Sequence, residues 1–600
     1  MLRYICLFFV IFVHADDYIQ WPPTIKQQVE MPRWPPDAPV RDGESFDFII
    51  VGAGSAGAVL ASRLTEVSEW RVLLLEAGGD PPIESVVPGL LGSLEHSRVD
   101  WNYSSVNDGW TAQAQRRRGR VSLPRGRMLG GTSSLNSMMY VRGNPADYNR
   151  WARKGFEGWD WESVFPYFLK SENLQDENLN NDPKYSPYHN TKGPMKVTVQ
   201  ESIDPNVVEK WDVLLDSLDE IGIKRIVDYN GPDQFGVSKC YFSHSAPPGV
   251  RSSTAQAFLA PAADRTNLFV LKNAFAKRVL IDDDREARGV EVEVDGEVLQ
   301  FFAEKEVIVS AGALNNPKLL MASGIGPAKE VKKLGVEVCA DLPVGYNLQD
   351  HLLVPVFFTG APTQHIDEAN YGPKVSLDYF PFPRLTGFFS VHNRARPELQ
   401  LISYYFNQSS PLLQAALNRS LNYDDEVVDS VEDESYKHEI FMLALVLLHP
   451  RSRGKVTVTS LDQAVPPQIY LGYLSQRDDL RLVQAGIDKL LQLTTTRYFR
   501  SVRSRLLRVD LPDCDNHHEY LGAAYWECYV RHMARSLWHQ AGTCAMGRVL
   551  DAALRVRGAR RLRVVDASVM PALPSGNTNA PVIMMAERMA DVIKKEYNKL

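Results

Sequence analysis

The chain has 600 residues, 44% of them hydrophobic, and a formal net charge of −7. That length supplies several layers of buried core without a disulfide scaffold. The acidic balance argues against a nucleic-acid binder, which needs a concentrated excess of Lys and Arg. At the N-terminus Arg3, the unbroken apolar run 5–13 and Val13-His14-Ala15 read as a secretory signal ending at Ala15. The run is too short for a bilayer span, which takes about 20 apolar residues. No later segment reaches that length without charge, so the expected mature protein is secreted, extracellular and has no stable membrane insertion. Asn102-Tyr103-Ser104, Asn407-Gln408-Ser409 and Asn418-Arg419-Ser420 then become candidate glycosylation acceptors.

Residues 16–45, rich in Pro and Trp without periodicity, read as a surface arm. Phe48-Ile49-Ile50-Val51 then runs into Gly52-Ala53-Gly54-Ser55-Ala56-Gly57, and Val72-Leu73-Leu74-Leu75 delivers Glu76. The order is strand, glycine turn, helix start, second strand and acid. Gly52 allows the tight turn, Gly54 admits a pyrophosphate to the backbone, Gly57 lets the helix pack closely, and Glu76 accepts from a ribose hydroxyl. This constellation predicts an ADP-containing dinucleotide. Arg116, Arg117, Arg118, Arg120, Arg125 and Arg127 crowd the following excursion and read as a solvated loop flanking the cofactor site.

A second glycine segment, Gly126-Arg127-Met128-Leu129-Gly130-Gly131-Thr132-Ser133, lets backbone pass against a flat ligand and donate to it. Residues 144–266 turn aromatic and helical, with Trp151, Trp159, Trp161, Phe165, Tyr167 and Phe168. Strand texture returns at 268–271, 287–294 and 306–309, the last closing on Ser310-Ala311-Gly312 as a central parallel strand does. A β-rich region fills 360–535, and a short strand at 562–565 precedes a terminal helix over 582–595. With Cys6 lost in the signal, Cys240, Cys339, Cys514, Cys528 and Cys544 remain, so at least one thiol is free or pairs with another molecule. Cys514 with Cys528 is the preferred bridge, and Cys544 reads as a buried thiol. No convincing metal-ligand spacing is present.

Together with 310–326, Arg251-Ser252-Ser253-Thr254 and Asn347-Leu348-Gln349-Asp350-His351, these motifs resemble the glucose–methanol–choline (GMC) family of FAD-dependent oxidoreductases, its secreted insect glucose-dehydrogenase-like members in particular. The resemblance runs from Phe46 to the terminal helix. It implies an α/β fold with a discontinuous Rossmann-like FAD-binding domain (46–143, 267–359 and 536–600). A second, α+β substrate domain on an antiparallel sheet takes 144–266 and 360–535. It further implies FAD held by Gly52, Gly54, Ser55, Ala56, Gly57 and Glu76, by Gly130, Gly131, Thr132, Asn136 and Ser137, and by Ala276, Asp566 and Ala567. Leu135 stands where some members carry a flavin-bonded histidine, implying non-covalent FAD. Asn316 departs from the Ser or Thr usual before Pro317.

Trp538-His539-Gln540-Ala541-Gly542 and Gly576-Asn577-Thr578-Asn579 look like the segments carrying the family's catalytic pair, which makes His539 the base and Asn577 its partner. Read alone, His539 is a structural histidine beside Trp538 and Asn577 a turn residue among prolines. His351 reads as a structural bridge between domains. The implied reaction oxidises the CH–OH group of an alcohol or sugar by hydride transfer to flavin N5, with His539 taking the hydroxyl proton and Asn577 orienting the oxygen. Reoxidation falls to a quinone-type acceptor or oxygen. A hydroxynitrile-lyase-type enzyme on the same fold, or a catalytically silent secreted flavoprotein, stays open as an alternative.

Overall fold

The structure, a computed structural model, describes residues 29–116, 119–199, 205–246, 249–362, 384–392 and 394–600. The expected signal segment and Arg117 and Arg118 lie outside them. The arm from Val29 onward tucks Val29 against Val86, Val87 and Leu90 and leads into the first strand.

The first sheet is built from β1 (Ser45–Val51), β2 (Val72–Leu75), β3 (Leu268–Leu271), β4 (Ala274–Ile281), β5 (Ala287–Val294), β6 (Glu297–Val309) and β7 (Leu562–Val564). Its parallel part runs β3, β2, β1, β6, β7. The first half of β6 instead pairs antiparallel with β5, which pairs with β4. β2 is buried at every position and β1 nearly so, as expected of parallel strands covered on both faces. Helix α1 (Ser55–Leu64) covers one face, and it is buried almost all round because the terminal helix α3 (Asn579–Glu596) packs on it. A short helix α2 (Asn316–Ala322) follows β6.

The parallel strands end at Val51, Leu75, Leu271, Val309 and Val564, and the loops after them gather at one edge, where ligands bind in open α/β sheets. Gly52, Glu76, Ser310 to Gly312 and Asp566 all sit there.

The second sheet is antiparallel throughout and lies over a separate apolar core. Its order is Arg535–Ser536, Leu352–Pro362, His438–Leu447, Leu399–Phe406, Leu385–Phe389, Gly236–Lys239. The expected division at 359/360 therefore cuts through a strand, Leu352–Pro362, whose pairing partners lie entirely in this sheet. The aromatic helices of 144–171 are core: Trp151, Trp159 and Phe168 are fully buried, and the helix Trp161–Ser171 packs on α3.

Cys514 and Cys528 are bonded, while Cys240, Cys339 and Cys544 are free, the first and last of them buried. Among the described residues the one cluster of metal-ligand type, Cys514, Cys528 and His532, is this disulfide and its neighbour. No described helix is long and apolar enough to cross a membrane.

Candidate active site

The glycines after β1 bring backbone segments together where a side chain would not fit. A Cβ on Gly57 would lie 1.9 Å from the Gly52 carbonyl oxygen, which fixes the close return of α1 onto the turn. Gly131, at φ +50°, would place a Cβ 2.7 Å from Gly54 Cα, so the second glycine segment lies directly against the first. Gly130, at φ +82°, donates its N–H to Ala53 O at 2.7 Å and closes the same contact. What remains facing the cavity is bare backbone, the surface a pyrophosphate needs.

Gly52, Gly54, Ser55, Ala56 and Glu76 line this cavity from the β1–α1–β2 unit, and Gly131, Thr132, Asn136 and Ser137 from the second glycine segment. Ala276 on β4 and Asp566 and Ala567 after β7 complete the set. Gly57 and Gly130 do not line it; they act through packing. Glu76 is buried, and its two carboxylate oxygens accept from the N–H groups of Ala53 and Gly78, each at 2.9 Å. Burial pushes its carboxyl up to about 7, against the pull of those N–H groups.

Asp566 is equally occupied. It accepts from Gly312 N and Asn316 Nδ2, both at 2.7 Å, and from Ser568 N at 2.8 Å. Asn316 also accepts from Ala311 N and donates to Ser568 Oγ. The residue that departs from the family pattern thus ties the loop after β6 to the loop after β7, a bond set in which both ends of the amide are used.

The same cavity continues to His539 and Asn577. Asn577 Nδ2 lies 3.3 Å from His539 Nε2, and Asn577 Oδ1 accepts from Gln400 Nε2 at 3.3 Å. Gln400, Ile402 and Tyr404 share one face of the strand Leu399–Phe406. The first fixes Asn577; the other two wall the cavity. Sequence reasoning missed this face, although its period-two spacing was there to be read. Asn579, two residues on, lines the same cavity but accepts from Ser55 Oγ at 2.8 Å, on the glycine-cradle side.

His539 is held from its other side. His351 Nε2 meets the Leu448 carbonyl at 3.0 Å and must donate to it; His351 Nδ1 is then an acceptor and takes the proton of His539 Nδ1 at 2.8 Å. That leaves the lone pair of His539 Nε2 toward Asn577 and the cavity. Burial pushes His351 down to about 3 and His539 well below the usual imidazole range, the neighbouring His351 and the Arg125 charge adding to the effect on His539. Both rings are therefore neutral at physiological pH. His351, expected only to bridge domains, also sets the tautomer of His539.

The backbone around the base is pinned as tightly. Asp350, buried, accepts from His539 N, Ser536 Oγ, Tyr473 OH and Gln540 Nε2. Trp538 sits at φ +61°, a strained conformation for a bulky side chain. Its N–H donates to Ser536 Oγ, its indole to Ser122 O, its carbonyl accepts from Arg125 Nη2 at 2.7 Å, and the Arg535 guanidinium stacks 4.5 Å from its ring.

Arg125 corrects the expectation of a solvated arginine loop. Arg116 does pair at the surface with Asp425, and Arg127 lies over the Trp101 ring, but Arg125 lines the cavity. Gly126, next to it, lies so close to the second glycine pair that a Cβ would fall 2.2 Å from the Gly131 carbonyl oxygen, which sets the backbone carrying Arg125 against the cradle.

Removing a carbinol hydrogen needs an acceptor for two electrons that no side chain here supplies, and the cradle beside the imidazole has the length and the bare backbone for a dinucleotide that does. That places the chain among the dinucleotide-dependent oxidoreductases. It belongs to the GMC oxidoreductase family, whose N- and C-terminal family models match residues 46–353 and 450–586. The chain is 40% identical to ecdysone oxidase of Bombyx mori over 577 residues, covering 94% of this chain and 84% of that protein. It is 35% identical to the glucose dehydrogenase [FAD, quinone] of Drosophila melanogaster, covering 92% and 87%. A formate oxidase variant of Aspergillus oryzae superposes with a TM-score of 0.78 at 26% identity, covering 93% and 100%. The cofactor is FAD, and Leu135 offers no atom for a covalent link to it.

Proposed function

We propose that the protein is a secreted oxidase or dehydrogenase that converts an alcohol carried on a large apolar body, such as a steroid alcohol, to the carbonyl compound. The observation that carries this reading is the unprotonated His539 Nε2, its lone pair turned to the Asn577 amide, both residues opening on the cavity that the FAD-type cradle shares. Bound FAD supplies a two-electron acceptor for the substrate's hydride. His539 takes the hydroxyl proton at Nε2, and its Nδ1–H, tied to His351, keeps the ring from turning. Asn577 Nδ2 donates to the same substrate oxygen and holds the carbinol carbon in line. Ile402, Tyr404, Met139, Leu537 and Trp538 wall this end with apolar surface and exclude water, which favours a rigid apolar substrate over a free sugar. The 40% identity to a steroid-named oxidase points the same way. The Cys514–Cys528 disulfide accords with secretion. The electrons pass on to oxygen or to a quinone.

The test is anaerobic stopped-flow mixing with a panel of steroid, aryl and sugar alcohols, followed by reoxidation with oxygen and with a quinone. Steroid alcohols are expected to bleach the flavin band fastest, and His539→Ala to slow bleaching by about 10²- to 10⁴-fold. Unchanged single-turnover reduction in that variant defeats the assignment.

A further inference from the structure

We propose that Arg125 is the cation that balances the negative charge arriving at the reactive end of the cavity during substrate oxidation. In that step the carbinol C–H bond breaks and its electron pair leaves with the hydrogen for FAD. The O–H bond breaks with its proton passing to His539 Nε2, and the C=O bond forms. FAD gains one negative charge, and His539 gains one positive charge. The inference rests on the presence of FAD and not on the identity of the alcohol.

Arg125 opens the glycine segment that lies against Gly54, and its Nη2 donates to the carbonyl of Trp538, the residue before the base. It therefore sits at the imidazole end of the cavity. Its charge reaches the reacting atoms, because it is one of the groups that lower the proton affinity of His539. Among the described residues no carboxylate pairs with its guanidinium: Asp100 accepts from the Arg125 main-chain N–H at 2.7 Å, and Asp350 and Asp100 reach the guanidinium only through space. Its Nε is sealed from solvent and has no hydrogen-bond partner. Burial pushes its pKa down to about 10, so the cation is held at a cost that the bond to Trp538 O and the more distant Asp350 and Asp100 offset only in part. Other cations along this stretch are satisfied: Arg116 pairs with Asp425, and Arg127 donates to Ala77 O over the Trp101 ring. An unpaired guanidinium beside apolar Leu135, Leu537 and Trp538 interacts strongly with any anion formed there, since low polarity amplifies the attraction.

A plain strut holding Trp538 in its strained turn is the competing role, and two variants separate the roles. Arg125→Gln keeps a donor for Trp538 O without the charge, and Arg125→Lys keeps the charge without the fork. The readout is the two-electron midpoint potential of the FAD-loaded protein, which needs no alcohol. Arg125→Gln is expected to disfavour reduction at least tenfold, about 30 mV for a two-electron couple. Arg125→Lys is expected to stay within about threefold of wild type at pH 7. A wild-type potential in Arg125→Gln, or equal shifts in both variants, overturns the proposal. So does loss of FAD with an unchanged potential in the fraction still loaded, which would place the charge at the pyrophosphate. If Arg125→Gln does not fold, the pH dependence of the potential in Arg125→Lys decides. A buried lysine loses its charge below its usual pKa of about 10.4, so that potential should bend downward at a lower pH than in wild type, whose cation persists to about 10. A parallel course overturns the idea.

Discussion

His351 and His539 meet nitrogen to nitrogen, Nδ1 to Nδ1 at 2.8 Å, and the Leu448 carbonyl behind His351 decides which of the two carries the shared proton. The direction of that one hydrogen bond leaves the lone pair of His539 Nε2 on the cavity side, where the proposed role as base needs it. His351→Ala removes the acceptor and frees the His539 ring to turn or change tautomer. Flavin reduction is expected to slow on the order of 10²-fold, with FAD content unchanged. His351→Asn, which offers an acceptor oxygen in reach, should restore part of the rate, a rescue that a loss of packing alone would not give.

The pH profile of flavin reduction follows from the same pair. As the proposed base, His539 acts in its neutral form, and burial holds its pKa well below the usual imidazole value. Reduction should therefore be level through neutrality and fall only well into the acid range. Asn577→Asp sets a carboxylate where the amide lies 3.3 Å from Nε2, which favours the imidazolium. The acid limb should move toward neutral pH, and the rate at pH 7 should drop.

Acid stability carries a signature of the buried histidines. Burial lowers the folded-state pKa of His351 to about 3, and also lowers those of His449 and His539. Their contribution is complete above the unfolded value of about 6.5. It is lost as pH falls toward the folded values, by about 1.4 kcal/mol per pH unit for each group. Glu76, raised to about 7 from its ordinary 4.5, works in the opposite sense between those values. Comparing the thermal midpoints of wild type and His351→Gln at pH 7.5 and 5.5 isolates the histidine: the gap between the two should shrink or reverse at the lower pH.

Glu76→Gln keeps the size of the side chain but turns one acceptor into a donor facing Ala53 N–H or Gly78 N–H. A donor against a donor in a buried site costs about 1–3 kcal/mol. FAD affinity should fall by about 10- to 100-fold, read as the absorbance ratio at 450 and 280 nm after dilution and gel filtration.

Replacing Cys514 and Cys528 together with Ser should lower stability by about 3 kcal/mol, the loop-closure value for a bridge of this span. Wild-type protein beginning at Asp16, denatured, should titrate three thiols, Cys240, Cys339 and Cys544. Five would show the bridge unformed.

Much of the cradle was legible because its constraints are local. A glycine forced by a turn, a strand of Val, Ile and Leu, and an acid at its end lie within about thirty residues of one another, so spacing alone carries the chemistry. The terminal helix and the short strand at Leu562–Val564 were readable for the same reason. The contacts around the base were not. Leu448, Gln400 and Asp350 are remote from His539 in sequence, and nothing in their local pattern marks a hydrogen bond. Arg125 was misread because a run of arginines has the composition of a solvated loop, while the close approach of Gly126 to Gly131 that sets its backbone against the cradle is not visible in that composition.

By itself, the amino-acid sequence determined the strand, glycine turn and acid of a dinucleotide cradle, and its resemblance to a family marked a histidine and an asparagine from the far end of the chain as candidates to face it. Only the tertiary structure decided which nitrogen of that histidine is free, because the proton's place depends on a carbonyl at the end of a strand in the second sheet. It also decided that one arginine enters the cavity without a counter-charge. Turn and strand preferences act between neighbours along the chain. Tautomers and uncompensated charges are fixed by groups that become neighbours only when two sheets pack together.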